Sequence, residues 1–387
     1  MIYLSHLNFN IYLIVVINAL LLFALISAVT IPFWQQFLPS TSVSYVGMSD
    51  IPQQRKSDAS GIAFALSPAA EANSNCVKKV AFVRPSFTYA AYQLNGFYNF
   101  YRLHNDLSEG TNVTKDLNLL TVKVPHGPFL VYTQNATDVP EPIREKRFID
   151  KLIELTAAQA PVDSIEISDV TDKEVNDGKI FVDKNNNTNA YDVLHLFHQE
   201  YVTSAEYYNL KKFVENGGRI VFNDSNIFTT EVKYNSTNDS VTLVEGHDWK
   251  YNGNSAWPAE KERWADETRQ WVGSNFLQVP TKRNVTFANN PFGYNHTEEQ
   301  YLTNPNDKII FNFDAKIRDV REIPIENSIT LHPTVAIYEL DNNSGNKTTG
   351  KVISLSIFSY KLLNNKEFLD FYARRIIPLT FGVSNCD

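Results

Sequence analysis

The chain has 387 residues, is 43 % hydrophobic and 13 % aromatic, and so can build a sizeable core, unlike a disordered sequence. Its formal net charge is −8 with no long basic run, which excludes a nucleic-acid interface made of clustered Lys and Arg. No stretch resembles a Walker loop, a GxGxxG turn, an HExxH helix or a GxSxG elbow.

Residues 1–10 form a short tail before an apolar span at 11–33. The run IYLIVVINALLLFALISAVTIP carries no charge and a single amide, Asn18, and matches the roughly 20 residues that cross a bilayer. A cleaved signal peptide is the competing reading, since the 24–28 stretch offers small residues. The run is long for such a peptide and no Lys or Arg precedes it, so an uncleaved single-pass anchor is expected. The first basic residues, Arg55 and Lys56, follow the span and pull weakly toward placing the rest inside.

Two other features point outward, to a domain outside the cytoplasm. Asn-x-Ser/Thr sequons recur, with Asn112, Asn135, Asn235, Asn284 and Asn346 as glycosylation candidates. There are only two cysteines, Cys76 and Cys386, one just before the first core strand and one beside the C-terminus. A disulfide between them would tie the ends of the domain together and stabilise it by roughly 5 kcal/mol in the chain-entropy model. Two unrelated free thiols fit the spacing as well.

Residues 34–75 lack a period and read as a stalk; the domain proper occupies 76–387. VKKVAFV, from Val77, is the first buried strand, followed by a tyrosine-rich segment with Tyr89, Tyr92, Tyr98 and Tyr101. Packing accounts for most of these rings, and Tyr92 can reach the C-terminal edge of the sheet. Residues 140–160 spell an amphipathic helix whose stripe holds Phe148, Leu152 and Leu155. SIEIS at 164–168 is a short strand, and DVLHLF at 192–197 a strand apolar enough to be covered on both faces.

Thr203 to Glu206 has capping-box form, and the helix it opens turns Tyr207, Leu210, Phe213 and Val214 inward. Gly217-Gly218 ends that helix before the strand RIVF. Beyond Val232 the pattern loosens, with a helix expected over 259–274. PTVAIYEL and KVISLSIF flank an Asn/Gly-rich turn and spell a hairpin, and a helix near 365–378 closes the domain. The sum is an α/β fold with a mostly parallel sheet and helices on both faces.

In such sheets ligands bind outside the carboxyl ends of the strands. His198 and Glu200 stand just past one strand end; a His and a carboxylate two apart can share a proton or a metal, and equally can cap the next helix. Asn223 to Asn226 follow the neighbouring strand. Asp224 takes the place where an elbow would present a nucleophile, and Asn226 can turn its amide into the site or close an Asx turn. His126, His247, His296 and His332 are isolated and receive no role.

HQEY at 198–201, then a helix, then GGR at 217–219, a strand and Asn226-x-Phe228, resembles the C-terminal domain of the N,N-dimethylformamidase large subunit. PSFTYAAY at 85–92 and GKVISLSIFSY at 350–360 resemble that family's first and last segments. The resemblance implies a flavodoxin-like, class I glutamine amidotransferase-like sheet. It also implies a mononuclear iron held by two tyrosines and a glutamate, beside a histidine and an asparagine. Carried over by motif, the glutamate is Glu200, the histidine His198 and the asparagine Asn226. One tyrosine is Tyr89 or Tyr92, with Tyr92 the metal candidate; for the second, Tyr132 is the nearest.

Two functions from different classes follow. One is a membrane-anchored, non-catalytic ectodomain that binds a small-molecule ligand or an envelope protein. The other is an iron-dependent hydrolase of a small amide, with His198, Glu200 and Asn226 at its centre.

Overall fold

The computed structural model describes residues 77–381 apart from 94, 105–112, 126–140, 160–164, 184, 186–187, 248, 254, 259–261, 278–284, 296–298, 303–307, 318–322, 326–328 and 341–349. All belong to the second of the two units into which the chain divides, Glu71–Asp387. The expected anchor, the stalk, Cys76, Cys386 and Tyr132 lie outside the described residues. So do Asn112, Asn135, Asn284 and Asn346. Asn235 is described and exposed at a strand end, where its Oδ1 accepts from Thr237 N at 3.0 Å. Among the described residues no helix is long and apolar enough to cross a membrane.

The centre is a seven-stranded sheet. In chain order its strands are β1 (Lys78–Arg84), β2 (Ile165–Thr171), β3 (Val193–Leu196), β4 (Arg219–Phe222), β5 (Lys308–Asn312), β6 (Ala336–Leu340) and β7 (Lys351–Leu355). Their spatial order is β5-β6-β7-β4-β3-β1-β2. The run from β7 to β2 is parallel throughout; β6 is antiparallel to β7, and β5, antiparallel to β6, points the same way as the parallel run. The fold is therefore mixed α/β with a mostly parallel main sheet, as expected.

Alternation along the strands sorts the core into two layers. On one face Val80 and Phe82 of β1, Val193 and Val221 pack on Phe148, Ile149 and Leu152 of α3 (Glu141–Gln159) and on the closing helical segment. That segment starts with α7 (Lys366–Phe371) and runs on through Tyr372–Ile376 to Phe381. On the other face Ala81, Val83, Leu194 and Leu196 pack on Tyr207, Leu210 and Phe213 of α5 (Ser204–Glu215). Strands covered on both faces must be apolar at every position, which is why DVLHLF lacks polar alternation.

Thr203 caps α5 as the sequence expects: its Oγ1 accepts from Glu206 N at 3.0 Å. Gly217 ends α5 with a φ of 89°, a left-handed turn that costs glycine little. The expected hairpin is present, with Ile337 opposite Leu355. The helix expected over 259–274 is shorter, α6 (Ala265–Val272); Trp264 precedes it with a φ of 55°, outside helical geometry. Its tryptophans serve packing: Trp264 stacks on Tyr207 at 4.4 Å.

A second, mostly antiparallel sheet grows from the rim of the first. Tyr201–Val202 pairs in parallel with Thr230–Asn235, which continues into Ser240–Gly246, Trp249–Tyr251 and Ala256–Pro258. Its apolar face encloses Phe87, Tyr201, Trp249 and, from α2 (Phe97–His104), Phe97 and Phe100.

The first connection is fixed by a buried acid. After β1, Ser86 and Phe87 open α1 (Ser86–Ala91), and Asp172, at the start of α4 (Asp172–Asn176), accepts from Ser86 Oγ and from Phe87 N at 2.6 Å. Burial pushes the Asp172 carboxyl up to about 7, against those two bonds. Glu206 is equally buried and is raised as well, by burial first and then by Asp172.

A carboxyl raised in the folded state stabilises below its unfolded value and loses that contribution as pH climbs toward its folded one. Glu206→Gln keeps a capping-box residue and removes the charge. It is expected to leave stability unchanged near pH 4 and to raise it by roughly 1–2 kcal/mol at pH 8. Denaturant melts of both proteins at the two pH values measure this. An equal gain at both would show that the carboxylate charge is not the cause.

Candidate functional site

Three strand ends and one helix deliver the site. β1 leads into α1 and then Tyr92; β3 leads into His198, Gln199 and Glu200; β4 leads into Asn223, Asp224, Ser225 and Asn226. α3 contributes Glu145 from the side. Because β3 and β4 are adjacent and parallel, with His195 opposite Val221, their following loops must meet at one rim. Main-chain bonds hold them there: Asn223 N donates to Leu196 O at 2.9 Å, Phe228 N to Gln199 O at 2.7 Å and Thr230 N to Glu200 O at 3.0 Å.

Glu200 is the hub and has no exposed surface. Tyr92 Oη donates to its Oε2 at 2.7 Å, and His198 Nε2 lies 3.0 Å from the same oxygen. His247 Nε2 bonds the other oxygen, Oε1. Burial alone would raise this carboxyl; His247 and His198 reverse that and hold it well below the usual carboxylate range. Burial alone would lower the His198 imidazole, yet Asp224, Glu200 and Glu145 together hold it well above its ordinary value. His198 is thus set among three carboxylates that favour its charged form, on a backbone at φ 21°, strained for a non-glycine residue.

A second group lies on the other side of His198. Glu145, His198 and Asp224 are 2 %, 4 % and 1 % exposed, and each can offer a ligand atom within 4.8 Å of the others. This buried Glu/His/Asp cluster has the donors to hold a metal ion. Nearby, Gln199 is fully buried with neither amide atom hydrogen-bonded, and the Oδ1 of Asn226 is buried without a donor. Asn226 N donates to Asp224 Oδ1 at 2.8 Å, the Asx turn weighed for this loop.

The expected residues His198, Glu200 and Tyr92 therefore come together, and Asn226 sits in the adjoining loop. Tyr89 is buried beside Glu145, which with burial pushes its phenol up, and it is not among the partners of Glu200. His195 turns into the core instead: it stacks on Phe82 at 4.7 Å, burial lowers it to about 3, and its Nδ1 meets Tyr372 Oη at 3.1 Å.

Three participants went unread in the sequence. Tyr98 donates to Tyr92 Oη at 2.9 Å and was grouped with packing tyrosines. His247 looks isolated in sequence, yet it bonds Glu200 and stacks on Tyr201 at 5.4 Å. It stands in a turn 47 residues from Glu200, with no local signal. Glu145 did carry a signal: it precedes Phe148 by three and so lies on the buried stripe of α3, where an acid is out of place.

No family profile matches this chain, and no curated protein does. Among solved structures, a ThuA-like protein from Bacteroides uniformis ATCC 8492 overlays 80 % of this chain and 95 % of its own, at 12 % identity and a TM-score of 0.32. A β-galactosidase from Bacillus circulans sp. alkalophilus overlays 76 % of this chain and 30 % of its own, at 10 % identity and a TM-score of 0.29. An exo-β-1,4-mannosidase from Opitutaceae bacterium strain TAV5 gives 66 %, 34 %, 11 % and 0.28 in the same order. The chain spans under a third of the length of the β-galactosidases it overlays. Overlays this loose assign no activity.

Proposed function

We propose that residues 76–387 form a ligand-binding domain outside the cytoplasm, tethered by the apolar span at 11–33 and related to the glutamine amidotransferase-like domain of N,N-dimethylformamidase. The strand order supports the relation: counted along the chain, the five parallel strands run second, first, third, fourth, fifth, which is the flavodoxin-like order. In this reading Cys76 and Cys386 pair, the exposed Asn235 carries glycan, and the ligand is a small polar molecule or a segment of an envelope protein.

The observation that carries binding over turnover is the saturation of Glu200. Both of its oxygens are occupied by the protein's own side chains, Tyr92 and His198 on one and His247 on the other. A carboxylate so neutralised is a poor general base and presents no open face to a metal.

A second reading, an iron-dependent amide hydrolase, is favoured by Tyr98. The oxygens of Tyr98, Tyr92 and Glu200 form a line at 2.9 Å and 2.7 Å, two phenols and a carboxylate, which is the donor set the resemblance implies. In this reading Tyr98 would be the second phenol, for which Tyr132 is the nearest candidate in sequence. Hard oxygen donors of this kind suit iron once His198 and His247 release the Glu200 oxygens they hold. Tyr92, Tyr98 and Glu200 would hold the ion, which would supply Lewis acidity to an amide carbonyl. His198 would present a proton beside it, and Asn226 would orient the substrate.

Calorimetric titration of the full-length protein with N,N-dimethylformamide and formamide, together with an assay for released formate, tests the pair. Saturable binding without formate, lost in Glu200→Gln, is the expected result. Iron-dependent formate release would establish the second reading in its place. Absence of any heat with either amide would remove small amides as ligands altogether.

A further inference from the structure

We propose that Glu145, His198 and Asp224 bind a divalent first-row transition metal ion, at a position separate from the Tyr98–Tyr92–Glu200 line. This goes beyond the binding reading above and does not depend on it. The geometry comes first: two carboxylates and an imidazole, from α3, the β3 loop and the β4 loop, lie within 4.8 Å of one another in a buried setting. One imidazole with two carboxylates suits zinc, manganese or ferrous iron.

The surroundings are those a metal site needs. Ligating histidines usually give their other ring nitrogen to a carboxylate. His198 already does so, through Nε2 to Glu200 at 3.0 Å, which would leave Nδ1 for the ion. Asp224 is oriented by the Asn226 main-chain N–H at 2.8 Å. Glu145 lies beside the buried Tyr89 phenol.

Burial points the same way: Glu145 and Asp224 lie close together in the dry interior, where a divalent ion between them would offset their charge. Unsatisfied polar atoms mark the same rim. Asn226 Oδ1 is an acceptor with no donor, and Gln199 has neither a donor for its oxygen nor an acceptor for its nitrogen. Buried orphans of this kind call for a partner beyond the protein chain, and a metal-bound water supplies donors.

The test is titration of the purified full-length chain with Zn²⁺ and with Mn²⁺, followed by calorimetry and by thermal unfolding. A Co²⁺ titration read by its visible absorption reports the ligand field. One equivalent is expected to bind, with a raised unfolding temperature. Glu145→Gln and Asp224→Asn are each expected to weaken binding at least tenfold and to change the Co²⁺ spectrum. The double variant Tyr92→Phe/Tyr98→Phe, which dismantles the other donor set, is expected to retain the ion. The unfolding curves of the metal-free variants show whether each is folded. Binding that survives both Glu145→Gln and Asp224→Asn would overturn the proposal. So would loss confined to the tyrosine double variant, which would place the ion on the phenol line instead. A wild-type protein that binds none of the three ions at millimolar concentration would overturn it outright, and would leave the amide titrations unaffected.

Discussion

Truncating Glu200 to alanine is expected to lower the unfolding free energy by about 3–5 kcal/mol, the usual cost of removing one partner from a buried ionic cluster. The substitution takes the acceptor from Tyr92, from His198 and from His247 at once. It leaves a buried imidazolium with fewer counter-charges and a phenol with no acceptor, and water cannot replace either loss easily at a residue without exposed surface. Glu200→Gln retains the volume and one acceptor oxygen, and is expected to cost less. Urea unfolding of the three proteins measures both effects as shifts in midpoint at constant slope. An alanine variant within about 0.5 kcal/mol of wild type, the ordinary range for surface substitutions, would mean that these bonds are not what holds the rim together.

The second large effect is expected at Gly350, immediately before β7. A Cβ there would stand 1.9 Å from Gly218 O and 2.6 Å from Val214 O. Both are main-chain atoms, so no rotamer change relieves the clash. The segment cannot draw back either, because Gly350 N donates to Val214 O at 2.8 Å and Lys351 N to Gly218 O at 3.2 Å. Gly350→Ala must break these bonds or shift the start of β7 against β4. The cost is expected at or above the top of the about 1–3 kcal/mol usual for overpacking. Thermal unfolding of the purified variant reads it. A melting temperature equal to that of the wild type would show that the end of α5 has room to move.

The fold was legible because its strands announce themselves by composition. VKKVAFV, DVLHLF, RIVF and KVISL are apolar at successive positions, and only a strand sandwiched between helices needs that. The capping Thr203, the Gly217 turn and the Asn/Gly-rich stretch between β6 and β7 fixed where elements stop. Adjacent parallel strands then force the 198–200 and 223–226 loops to one edge, so half of the site followed from topology.

The rest was not legible, for a different reason in each case. Tyr98 looks like its packing neighbours Tyr89 and Tyr101, because a phenol in a tyrosine-rich helix carries no mark of where its hydroxyl ends. His247 reaches Glu200 only through the second sheet, and no local pattern encodes the pairing of Ser240–Gly246 with Thr230–Asn235. Glu145 sat in plain view on an apolar stripe, where amphipathic reading attends to the leucines and passes over the acid.

Glu200 ends one sheet's loop, and Tyr201 begins the other sheet's strand. The two sheets thus meet at that peptide bond, and again where the 223–229 loop runs into Thr230. An occupant that loosens His247 from Glu200 would pull on a turn of the second sheet and on the rim of the first in the same movement. This is a direct mechanical route from the rim of the first sheet to the outer strands at 249–258, and it asks no distant loop to reorganise.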